Sequence, residues 1–127
     1  MEQPKAVHFY DELSEWEHTC SQYDHEFLEL DTQLFALSRQ KTEPQFVENV
    51  QYYMQQIEEL MREFRESTAE MYNQEGQLKV DHAYITDNAV TSSISSKQEE
   101  FRERMQSFGK RFVDLKFSCY SFIALHK

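Results

Sequence analysis

The stretch FYDELSEWEHTCSQYDHEFLELDTQLFAL, residues 9–37, decides the fold. Its apolar residues Phe9, Leu13, Trp16, Cys20, Tyr23, Phe27, Leu30, Leu34 and Leu37 step alternately by four and by three without a miss. Side chains spaced in this way share one stripe of an α-helix, so the stretch reads as one long helix with a heptad seam for other helices. The same spacing returns twice. Pro44 sits where a first-turn residue needs no N–H, and it opens a second helix behind Thr42, the expected cap, or Glu43. The seam there is Phe46, Val50, Tyr53, Ile57, Leu60, Phe64, Ser67 and Met71, widened by Val47, Met54 and Met61 until it faces more than one neighbour. The third seam is Ile94, Gln98, Phe101, Met105, Phe108, Phe112, Leu115, Cys119 and Phe122, with Gln98 its one polar interruption.

Between the seams, residues 39–43 and 73–79 are polar, and the second stretch holds Gly76, a plausible helix stop. Short connections make neighbouring helices antiparallel. The expected fold is therefore all-α, one domain over residues 1–127: an up-down-up bundle with helices near 6–39, 44–73 and 80–125. Strand signals are absent. Thr91, Ser92, Ser93, Ser95 and Ser96 lower helix propensity, and Ser96 with Glu99 matches a capping box. A break near 92–96 would make residues 80–94 a short separate helix and the fold a four-helix bundle.

The chain has 127 residues, 39% of them hydrophobic, with a formal net charge of −10. Its only glycines, Gly76 and Gly109, are isolated, so neither a phosphate-cradling P-loop nor a dinucleotide-binding glycine fingerprint can be written. An acidic average surface repels phosphate backbones and anionic lipid heads, which argues against nucleic acid and membranes as partners. No basic start with an apolar core marks a signal peptide, and no uncharged run approaches the roughly 20 residues of a membrane span. Cys20 and Cys119 lie 99 residues apart on apolar seams. They read as buried free thiols of a cytoplasmic protein.

Charge is unevenly spread. Residues 1–40 carry nine acids against two bases, 41–75 eight against three, and 76–127 six against eight. The seam flanks of the first helix hold Glu12, Glu17, Asp24, Glu26 and Asp31, and those of the third hold Lys97, Arg102, Arg104, Arg111 and Lys116. These sets are expected to face each other and to select that pairing, each pair contributing roughly 0 to 1 kcal/mol.

Apolar residues remain that the seams do not use. Leu28, Phe35 and Ala36 lie off the seam in the second half of the first helix, and Val47 and Tyr52 do so near the start of the second. Residues 112–125 are apolar nearly all round through Val113, Phe117, Tyr120, Ile123, Ala124 and Leu125. In an up-down-up bundle all of these gather at one pole, more than three helices can bury. Large exposed apolar patches mark interfaces. The expected interface is thus Leu28, Phe35, Val47, Tyr52, Val113, Phe117, Tyr120 and Ile123, serving a homodimer or a protein partner. In the four-helix alternative the same residues would be scattered core.

Glu15-Trp16-Glu17-His18 places a carboxylate and an imidazole where one metal can reach both, and His25 and Glu29 continue the row. In general architecture this resembles ferritin-like or hemerythrin-like bundles, and the resemblance implies a metal-binding or ligand-sensing protein using Glu15, His18, His25 and Glu29. Such sites also need a second His-bearing motif and inward carboxylates from other helices. Neither is present here, and these four residues lie opposite or beside the seam. No catalytic set emerges, and buried seam cysteines make poor nucleophiles. The expectation is a non-enzymatic interaction protein without a cofactor. Charge alone also suggests an acidic antagonist or chaperone of a basic protein.

Overall fold

A computed structural model describes residues 4–126 and contains three long helices: α1 (Lys5–Ser38), α2 (Pro44–Leu78) and α3 (Ser92–His126). They form the up-down-up bundle that the three seams call for. Every apolar position of the 9–37 seam from Leu13 onward is buried or half-buried, and Phe27, Phe64 and Phe101 are wholly enclosed. Aromatic rings lock the middle layer. Tyr23 stacks on Phe112 at 4.0 Å, Phe27 meets Phe112 at 4.9 Å, and Phe64 meets Phe108 edge-on at 4.9 Å. Such contacts add about 0.5–1.5 kcal/mol each beyond area burial. At Gly109 an added methyl group would lie 3.5 Å from the Tyr23 hydroxyl, an ordinary van der Waals contact.

The polar interruption at Gln98 is fully buried and ties all three helices together. Its amide nitrogen donates to the Phe9 carbonyl and to Glu12 Oε1, both at 3.1 Å. Its oxygen accepts from Gln74 Nε2 at 3.2 Å, and Gln74 also donates to the Ile94 carbonyl at 2.9 Å. Buried amides of this kind are tolerable only when satisfied, and here one position along each helix meets the requirement. The layer therefore fixes the register between the helices.

The expected boundaries need correction around residues 73–94. Helix α2 does not stop at Gly76, whose missing side chain faces open space, but continues to Leu78, buried in the core. Residues 80–91 form no α-helix, so the four-helix alternative falls away. Lys79–Val80 (β1) and Ala83–Tyr84 (β2) instead pair antiparallel across Asp81 and His82, with φ of 51° and 65°. Two successive left-handed residues are the hairpin turn whose twist matches that of the strands. A 3-10 turn, Asp87–Ala89, follows. Thr91 then caps α3, its hydroxyl oxygen accepting from the Ile94 amide at 3.1 Å, and the Ser96 capping box is not used. At the other connection Glu43, not Thr42, precedes α2, and its carbonyl accepts from the Val47 amide.

Charge pairing is divided between the two neighbours of α3. Arg102 meets Glu12 at 2.7 Å and Lys116 meets Glu26 at 2.6 Å, both on α1 as expected. Lys97, Arg104 and Arg111 go instead to α2, the first two onto Glu70 and the third onto Glu63. These cations hold the carboxyls of Glu63 and Glu70 below the usual carboxylate range. Glu17, Asp24 and Asp31 face α2, not α3. A seam has two flanks, and heptad spacing alone does not say which neighbour each flank meets.

Candidate interaction surface

Six of the eight residues expected at an interface stand exposed: Leu28, Phe35, Tyr52, Val113, Phe117 and Tyr120. Phe117 is 73% exposed. Val47 is half-buried. Ile123 is a correction, since it lies in the core, 3% exposed, beside Phe122. The start of α2 covers that end of α3. Phe46 stacks on Phe122 at 5.6 Å, Tyr53 approaches the same ring at 5.1 Å, and His126 closes the cluster edge-on to Phe46. Part of the apolar excess is therefore ordinary core, reached because α3 presents Phe122 and Ile123 to the bundle together.

The exposed remainder lies along two stripes. On α1, Leu28 and Phe35 are seven residues apart with Asp31 between them, and Leu28 and Asp31 line a groove of ≈ 670 Å³ against Glu58, Met61 and Arg62 of α2. On α3, Val113, Phe117 and Tyr120 follow at steps of four and three, around Lys116, which reaches Glu26. Glu26 and Leu28 differ by roughly 200° around α1. The two stripes thus look out on different sides. Leu125 extends the exposed apolar surface at the end of α3. Tyr72, Val80 and Tyr84 expose further apolar area near the hairpin at the opposite pole, and none of the three lies on a seam.

Glu15, His18, His25 and Glu29 are all exposed on the outer side of α1. His25 Nε2 lies 3.6 Å from Glu29 Oε1, a surface pair one turn apart. Among the described residues no group of three or more His, Cys, Asp or Glu side chains is placed to hold a metal ion. Cys20 and Cys119 are free and buried, and burial pushes both thiols up to about 11, far from the thiolate a nucleophile needs. No described helix is long and apolar enough to cross a membrane. Comparison of the chain with protein-family models, with curated proteins and with solved structures found no match.

Proposed function

We propose that the chain is a non-enzymatic interaction module that docks a second copy of itself, or a protein partner, through the apolar stripe Val113, Phe117 and Tyr120 on α3. The observation carrying this reading is the exposure of Phe117 in line with two further large apolar side chains on one helix. Burying one such side chain is worth about 1.5–3 kcal/mol, and a stripe of three is a reasonable nucleus for an interface. The two buried free thiols suit a reducing, cytoplasmic setting.

Light scattering coupled to size exclusion, over a wide concentration range, tests the self-association arm. A dimer is expected for the unaltered chain and a monomer for Phe117→Glu, with helical circular dichroism unchanged. A Phe117→Glu chain that associates as before would overturn the reading. If the unaltered chain is monomeric throughout, the stripe is left to a different protein, and cross-linking from a photoreactive residue at position 120 is then expected to capture it.

A further inference from the structure

At two places the contact between α1 and α2 sets acid against acid. Glu17, Asp24 and Asp31 recur every seven residues along the α2-facing flank of α1. Each has a carboxyl oxygen that is buried with no hydrogen-bond donor among the described residues, and so has Glu75 of α2. Asp24 has the Arg65 guanidinium as a counter-charge, whereas Asp31 faces the like charge of Glu58. Glu17 and Glu75 lie close enough for their side chains to share a hydrogen bond. Two carboxylates only accept, so this bond exists only when one of them carries a proton. Glu17 Oε2 and Glu75 Oε1, each buried without a donor, belong to these two carboxyls, and a proton held between the carboxyls would supply the donor that they lack.

We propose that folding draws one proton into the Glu17–Glu75 pair, and that its loss loosens the α1–α2 contact, making the bundle a proton-sensitive joint. Arg65, Lys79 and Arg102, the described cations on the neighbouring elements, each have other partners. From α1, Cys20 and Asp24 face the same groove, and from α2 Arg65 and Tyr72 do so, with Arg65 acting on Asp24. From the hairpin, the Lys79 ammonium sits over the rings of Tyr10 and Tyr84, 5.4 and 5.1 Å from their centres. From α3, Gln98 and Arg102 are bonded to Glu12.

Burial first, then the hydrogen bond to Glu75 and its charge, push the Glu17 carboxyl up from 4.5 to about 8. The folded chain then holds a proton that the unfolded chain has released between those two values. Stability accordingly falls as pH rises through that window and levels off above it, by up to about tenfold in the folding equilibrium per pH unit.

Urea unfolding of the full chain at about pH 6 and about pH 8.5, for the unaltered protein and for Glu17→Gln, is the direct test. The unaltered midpoint is expected to fall with pH, and the Glu17→Gln midpoint to fall much less, because the amide supplies Glu75 with a permanent donor. Parallel falls in the two proteins would overturn the proposal. Carbon-13 titration of glutamate carboxyls in the unaltered chain decides independently of whether the variant folds. One carboxyl titrating well above the ordinary range is expected, and none doing so would overturn the idea.

Discussion

Gln98 sits where the third seam asks for an apolar side chain, and every polar atom of its amide has a partner. Replacing it by leucine would leave the Glu12 carboxylate with one donor fewer and the Phe9 carbonyl without this donor, while Gln74 would lose one of its two acceptors. Unsatisfied buried groups cost about 1–3 kcal/mol each. Gln98→Leu is therefore expected to lower stability by about 2 kcal/mol in urea unfolding at neutral pH, with helicity retained. A midpoint equal to that of the unaltered chain would show that the apolar replacement offsets the lost bonds. The interruption is visible in the sequence, whereas its partner on α1 is 89 residues away and no local pattern announces it. Ile123 shows the reverse difficulty: in a segment apolar nearly all round, periodicity does not separate the inward side from the outward one.

The seams of the helices were legible for a plain physical reason, since residues spaced by three and four must share a face and a long apolar face must be covered. Their ends were less so. Gly76 costs a helix roughly 1 kcal/mol relative to alanine, yet the buried Leu78 two residues on keeps the chain helical past it. The serines of 92–96 are poor helix formers, but Ile94 and Gln98 anchor that turn in the core and packing outweighs propensity. The hairpin leaves no signal in the sequence because each strand has only two residues and the turn is Asp-His without glycine. Helix α3 begins instead at the Thr91 cap. Thr91→Ala is expected to reduce stability by about 1 kcal/mol and to speed hydrogen exchange at Ile94, leaving exchange near Phe112 governed by global unfolding. Unchanged exchange at Ile94 would show that the hydroxyl contributes nothing there.

Across the whole molecule, two sets of carboxyls pull stability in opposite directions with pH. Glu63 and Glu70, held low by Arg111 and by Lys97 with Arg104, contribute stability above the ordinary carboxylate range that is lost as pH falls through their folded values. Glu17, Asp24 and Asp31, raised chiefly by burial, contribute in the opposite sense and weaken the fold as pH rises. The urea midpoint is expected to peak in mildly acidic solution and decline on both sides, and Glu63→Gln is expected to shallow only the acid decline. A midpoint rising steadily from acid to alkaline pH would contradict this balance. The pairing of the α3 charges was only half legible in the sequence: expected on α1 alone, they are divided between α1 and α2. The Lys5 amide, at the start of α1, donates to Asp87 Oδ1 at 2.9 Å across 82 positions of chain. The first turn of α1 is thereby tied to the α2–α3 connection, and its cleavage by proteases is expected to speed up when Asp87→Ala removes the tie.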